Sequence, residues 1–159
     1  YNDKTGFFQK NKLNDNDLFA DPIDLNDNNI PNGNSVYLHI CNKLYTITSE
    51  KEWLEKSEIL KKSFHQTINS FYSQMFSFIK TLDICENSIS FTFYGNKNST
   101  KEIKKVLQNK FIGRSTFVYK NNDIKHGSVV ICKNQTCSKK ISDINEIEKY
   151  LLETKLLYD

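Results

Sequence analysis

Hydrophobic positions along this chain change period twice, and each change marks a change of element. Residues 1 to 32 are polar and rich in Asn and Asp, with apolar anchors at Phe7, Phe8, Leu18, Phe19, Ile23 and Leu25. Asp21-Pro22 and Ile30-Pro31 punctuate this stretch, because a residue before proline is pushed out of the helical region. So long a connection is uncommon inside a compact domain, and the expectation is a segment draped over a surface that the chain only partly contains. From Ser35 to Thr46 two templates fit. Val36, Leu38 and Ile40 alternate as in a strand, while Val36, Ile40 and Leu44 keep helical spacing, so periodicity leaves both open.

The next segment reads as helix. Ser49-Glu50-Lys51-Glu52 has the form of a capping box, in which a hydroxyl and a carboxylate satisfy free amides at a helix start. Trp53, Leu60, Phe64 and Ile68 stripe one face, and Phe71, Met75, Phe78, Ile79 and Leu82 form a second stripe. Both are expected to be core. At Ser88 the period becomes two: Ile89, Phe91 and Phe93 alternate with Ser90 and Thr92 up to Gly95, which predicts a strand. A second capping box, Ser99-Thr100-Lys101-Glu102, opens a helix carrying Ile103, Val106 and Leu107. Strands are then predicted over Thr116 to Tyr119 and Ser128 to Cys132, around the turn Asn121-Asn122-Asp123. A final helix starts near Ser142-Asp143, with Glu146 placed to cap, and buries Ile144, Ile147, Tyr150 and Leu151.

The order strand, helix, strand, strand, helix predicts a right-handed crossover between two parallel strands, then an antiparallel pair made by the short turn. The expected fold class is α+β, with a helical part over residues 1 to 85 and a small three-stranded α/β domain over residues 86 to 159.

Composition narrows the function classes. The 159 residues are 38% hydrophobic and 13% aromatic, which suits a globular chain rather than a disordered one. Net charge is +3, with lysines in scattered pairs (Lys61-Lys62, Lys104-Lys105, Lys139-Lys140) among apolar helix positions. Nucleic-acid binders gather their basic residues on one face, so no nucleic-acid partner is expected. No apolar run approaches the roughly 18 residues that span a bilayer, so no membrane partner is expected. No signal peptide opens the chain, which begins at Tyr1 rather than Met. Four cysteines are too few for a disulfide-dense scaffold, and a cytoplasmic or organellar location is expected over secretion.

Several short motifs recur in order along the chain: Gly6-Phe7-Phe8, then Asp21-Pro22, Asp27 and Pro31-Asn32-Gly33-Asn34-Ser35, then Leu82-Asp83, then Val130 through Cys137. Together they resemble the carboxy-terminal region of the spermatogenesis-associated protein 20 / YyaL family. There the corresponding segments read Gly-Gly-Phe-Phe-Asp-Thr, Asp-Gly-Ala followed by Pro-Ser-Gly-Asn-Ser, and Val-Cys-Glu-Asn-Gln-Ala-Cys. The strand ending at Gly95 is similar to the family's Ile-Val-Gly-Asp-Pro segment. The likeness covers nearly the whole chain.

The resemblance implies a thioredoxin-like domain and a six-hairpin (α/α)6 toroid, related to N-acylglucosamine 2-epimerase, upstream in the same polypeptide. This chain would then hold the last toroid hairpins and a thioredoxin-like half domain, and Ser35 to Thr46 would be helical. Three departures stand out. The family's Arg and Lys near the Pro-Ser-Gly-Asn motif appear here as Asp21 and Ile23, the Pro after the second Cys appears as Lys140 or a neighbour, and no Cys-x-x-Cys is present.

Three functions follow as expectations. The first is a non-catalytic portion of a sugar-epimerase-like protein whose partners are its upstream domains and a small carbohydrate. Its sugar-binding candidates are Asp27, Asn34 and Ser35, since a carboxylate and an amide hold hydroxyls and Gly33 permits close approach. The alternative for Asn34 or Ser35 is to cap the following helix. The second is a redox module using Cys132 and Cys137, close enough in sequence to pair, with Lys133, Lys139 and Lys140 near enough to favour thiolate. The alternative is that both are small buried hydrophobes. The third is a purely structural interaction domain.

No catalytic residue is assigned: His65 sits off the apolar stripe, and no acid/base pair of the kind an epimerase needs is evident. Cys41, Cys85, His39 and His126 lie at no metal-ligand spacing, so no metal and no cofactor are expected.

Overall fold

The structure is a computed structural model that describes residues 3–4, 6–8, 25–110, 112, 114–121, 126–133 and 136–156. The anchors Leu18, Phe19 and Ile23, the Asp21-Pro22 pair, and Asn122 and Asp123 of the expected turn lie outside the described residues. The class is α+β: among the described residues there are five α-helices and a four-stranded mixed sheet. The chain divides into two compact units, Tyr1–Cys85 and Glu86–Asp159.

In the first unit, helix α1 spans Gly33–Thr48 and α2 spans Lys51–Phe71; a 3-10 turn at Tyr72–Gln74 leads to α3, Phe76–Asn87. Periodicity left Ser35 to Thr46 undecided because its most visible apolar series, Val36 and Ile40, lies on the outer face of α1, where both are 45% exposed. Leu38 and Cys41 face inward and are fully buried. The expected capping box at Ser49 does not form. Ser49 is used to end α1 instead, in the left-handed region (φ 63°) with its N–H on the Tyr45 carbonyl. Glu50 is the N-cap that precedes α2, and its carboxylate accepts from Trp53 Nε1 at 3.0 Å.

Only Ser49 and Glu50 separate α1 from α2, so the two helices form an αα-hairpin. Its core holds Phe7, Leu38, Leu60, Phe64, Met75 and Phe78. Phe64 stacks on Phe78 at 3.7 Å between ring centroids and meets Phe7 edge-on at 4.9 Å. Of the residues expected in the core, Trp53 is only half-buried and Ile79 is 38% exposed. Ile79 falls off the inward arc once the 3-10 turn resets the phase between α2 and α3, while Trp53, in the first turn of α2, donates its Nε1–H to Glu50.

Gly6 is the one residue of the amino-terminal motif that must be glycine. Its φ is +71°, and a Cβ there would meet Ile59 Cγ2 at 3.0 Å, so only a bare backbone passes this close to α2.

In the second unit, β1 (Ile89–Tyr94), α4 (Lys101–Asn109), β2 (Ser115–Lys120), β3 (Ser128–Lys133), β4 (Thr136–Cys137) and α5 (Ile144–Glu153) follow in order. Strands β1 and β2 are parallel, as the crossover predicts. The expected three-stranded arrangement is corrected in two respects. A fourth strand, β4, adds to the edge, and β3 pairs with β1 rather than with β2, giving the order β2-β1-β3-β4.

Composition explains the placement. Val129, Val130 and Ile131 form a continuous apolar run suited to an interior strand, whereas β2 ends in exposed Tyr119 and Lys120, an edge. The chain leaves β2 opposite Tyr94 and re-enters β3 opposite the same residue from the other side. Gly127 makes that passage possible, since a Cβ there would lie 2.1 Å from the Ser99 carbonyl oxygen.

One face of this sheet carries Ile89, Phe91, Phe93, Val129 and Ile131, packed with Ile103 and Leu107 of α4 and Ile147 and Leu151 of α5. The second expected capping box is also replaced. Asn96 Oδ1 accepts from the Asn98 and Ser99 amides at 3.0 and 2.8 Å, and Ser99 Oγ turns to the Asn96 carbonyl. Helix α5 is capped by Asp143, which accepts from the Glu146 amide at 2.9 Å.

Candidate functional site

The Asp27 to Ser35 segment builds one hydrogen-bonded unit at the start of α1. Asp27 accepts from the Asn32 amide at 2.9 Å, from Asn32 Nδ2 at 3.1 Å, from the Ser77 amide at 2.5 Å and from the Ser77 hydroxyl. Burial by itself would raise the Asp27 pKa, but the hydrogen bonds from Ser77 and Asn32 together hold it below the ordinary carboxylate value. Asn32 also accepts from the Ser35 amide at 2.9 Å, so Asn32, not Asn34 or Ser35, caps the helix. Its two-ended amide lets one side chain cap the helix and hold Asp27 at once.

Asn34 turns the other way. Its Oδ1 accepts from the Phe8 amide at 2.7 Å and its Nδ2 donates to the Phe8 carbonyl at 3.3 Å. This paired contact spans 26 residues of sequence and ties the Gly6-Phe7-Phe8 segment to the head of α1.

The three sugar-binding candidates therefore occupy different situations. Asp27 and Asn34 spend their polar atoms on the protein itself. Ser35 does not: it is 1% exposed, and among the described residues its hydroxyl has no hydrogen-bond partner. It lines an open cleft of about 200 Å³ between α1 and α3, together with Pro31, Val36, His39, Lys80 and Thr81. His39, one turn further along α1, has a buried Nδ1 that also lacks a partner among the described residues. Burial, and then the charge of Lys43, push the His39 pKa below its ordinary value, so the ring is neutral at physiological pH. Sequence reasoning considered His39 only as a metal ligand; its spacing of four from Ser35 was the signal that would have paired them.

In the second unit Cys132 and Cys137 are joined as a disulfide across directly opposed positions of β3 and β4, with Cα atoms 4.0 Å apart. Cys132 is half-buried and Cys137 exposed. Lys140 lies over the Tyr94 ring at 4.3 Å. Ser138 bonds to both polar groups of the Ile131 backbone, and Val129 and Ile141 exchange two backbone bonds, so the sheet edge has ties besides the disulfide.

A double variant, Cys132→Ser with Cys137→Ser, is expected to lose about 2 kcal/mol, the loop-closure value for so short a loop. Denaturant melts followed by circular dichroism should show the same folded baseline and an earlier transition.

Cys41 is buried and its thiol pKa is raised, chiefly by that burial. Among the described residues no group of three His, Cys, Asp or Glu side chains is placed to hold a metal ion, and no helix is long and apolar enough to cross a membrane. No family model matches the chain, and no curated protein matches it.

Proposed function

We propose that this chain is a non-catalytic module of a larger protein similar to the spermatogenesis-associated protein 20 / YyaL family, and that its helical unit binds a small carbohydrate. The observation that carries the reading is the Asn34–Phe8 clamp. Two motifs that pointed to the family, far apart in sequence, meet through paired hydrogen bonds at the head of α1, the helix that forms one wall of the open cleft. In this reading α1, α2 and α3 are terminal hairpins of the (α/α)6 toroid, the sheet unit is its thioredoxin-like tail, and the chain's partners are the upstream domains of the same polypeptide.

A ligand that binds only the folded state raises the melting temperature. A thermal-shift screen with monosaccharides is expected to give at least one concentration-dependent increase. A flat response across the panel would remove the carbohydrate from the reading.

The exposed Cys132–Cys137 disulfide favours a second reading, a redox module that exchanges with a thioredoxin-like domain. In that case a dithiol reductant opens the disulfide while the sheet unit stays folded, and function is lost in the double serine variant. A purely structural interaction domain responds to neither sugar nor redox state.

A further inference from the structure

Strand β2 is the long open edge of the sheet. The order β2-β1-β3-β4 leaves one side of it without a neighbouring strand among the described residues, while β4, at the other edge, is only two residues long. The ladder fixes which backbone groups face outward. The Ile89 N–H donates to the Arg114 carbonyl at 2.9 Å, and the Gly95 N–H to the Lys120 carbonyl at 3.4 Å. Alternate residues of a strand turn their backbone to the same neighbour. Residues 114, 116, 118 and 120 therefore serve β1, and Ser115, Phe117 and Tyr119 turn their N–H and C=O groups outward.

A row of donors and acceptors at strand spacing, spread over about 14 Å, has one complement, another extended backbone. A helix cannot answer it, because its own N–H and C=O groups are used internally. A small ligand reaches too few of the groups. Edges are normally defended by shortness, proline, a bulge or a charge within the strand. Strand β2 keeps unbroken register with β1 from Ser115 to Lys120, holds no proline, and carries its one charge at its end.

Side chains narrow the occupant. Ser115, Phe117 and Tyr119 share the face of Ile89, Phe91 and Phe93, their partners in register. Phe117 stacks on Phe91 at 5.4 Å and Tyr119 on Phe93 at 5.0 Å, yet Tyr119 stays 48% exposed. The aromatic row thus ends in an open rim, against which β-branched side chains of an added strand can pack. Lys120 is exposed, and Lys104 of α4 stands over the Tyr119 ring at 5.4 Å, so two cations bracket one end of the edge. A second copy is a poor occupant. The antiparallel register that uses all three outward residues sets Arg114 of each strand opposite Lys120 of the other, and like charges directly opposite are destabilising.

We infer that β2 is a docking edge for an extended segment of a partner protein. The segment adds antiparallel to the sheet, with apolar residues beside Phe117 and Tyr119 and a carboxylate beside Lys120. This interaction is independent of the carbohydrate reading above.

The test is amide hydrogen exchange by NMR on the 15N-labelled 159-residue chain, alone and with the capped peptide Glu-Val-Thr-Val-Thr-Val-Thr. In the free chain the amides of Thr116, Val118 and Lys120 should exchange slowly and those of Ser115, Phe117 and Tyr119 fast. Saturating peptide should slow the latter three by at least about tenfold. N-methylation of the central Val, which removes one donor to the edge and leaves every side chain in place, should weaken binding by about tenfold or more. Replacing the Glu by Lys, or Lys120→Glu in the chain, should each weaken it about fivefold.

If Ser115, Phe117 and Tyr119 are already protected in the free monomer, the edge is covered and the inference is overturned. If they are protected only where the chain dimerises, the occupant is a second copy, and the partner is overturned. If the N-methylated peptide binds as well as the parent, backbone pairing is not the recognition. If the Lys peptide binds as well as the Glu peptide, the acidic partner is wrong. A peptide that leaves all three amides fast at saturation overturns the docking edge itself.

Discussion

Truncating Phe64 to Ala is expected to cost the helical unit about 4 kcal/mol, within the usual range for a fully buried phenylalanine. Phe64 is fully buried, stacked on Phe78 and edge-on to Phe7. The cavity would open between α2, α3 and the amino-terminal segment, where neither helix can close it without moving the αα-hairpin. A unit of this size holds only about 4 to 12 kcal/mol in all, so the variant should lose at least about a third of its stability. Trp53, the only tryptophan in the chain, lies in this unit and reports its unfolding by fluorescence. A denaturant midpoint close to that of the parent would mean that Phe64 is not packed as described.

Asp27→Ala carries the second large effect, about 3 kcal/mol, because it strips the acceptor from four donors on Asn32 and Ser77. Bonds to an ionised acceptor are worth more than neutral ones, and donors left without a partner add their own cost. Asp27→Asn should cost less, since one amide oxygen still accepts. The pH dependence has a definite sign. The folded-state pKa of Asp27 lies below its unfolded value of about 3.8, so its contribution is fully present above that value and is lost as pH falls through the folded one. The Asp27→Ala variant should therefore show a shallower loss of helical-unit stability between about pH 5 and pH 2 than the parent. An unchanged acid limb would sink the assignment.

The period change at Ser88 marked the division of the chain, and the alternation over Ile89 to Phe93 marked the strand whose inward face the sheet unit buries. Long, strongly periodic segments such as α2 and β1 were legible because burial follows their period directly. What the sequence concealed was competition among local partners. Ser49 and Ser99 each carry a capping-box pattern, but Ser49 closes the preceding helix and the Ser99 hydroxyl donates to the Asn96 carbonyl instead. Strand neighbours were misjudged because a short connection suggests a hairpin, whereas the Val129-Val130-Ile131 run demands an interior position and Gly127 allows the crossing.

The site was half legible. Asp27, Asn34 and Ser35 stood out as a polar cluster around a glycine, yet only their hydrogen-bond partners separate the two that serve the fold from the one left unsatisfied. His39 carried no motif at all. Its relevance comes from the helical register that sets it one turn from Ser35, and that register could not be fixed while strand and helix fitted equally well.

The claim that this chain is a module of a larger protein is tested most directly by the size of the native protein in its source cells, using an antibody raised against the 159 residues. A band several times the mass of this chain is the predicted result, with the upstream domains attached. A single band at the mass of the 159 residues alone would contradict it, and Cys132 and Cys137 would then be the first residues to test for function.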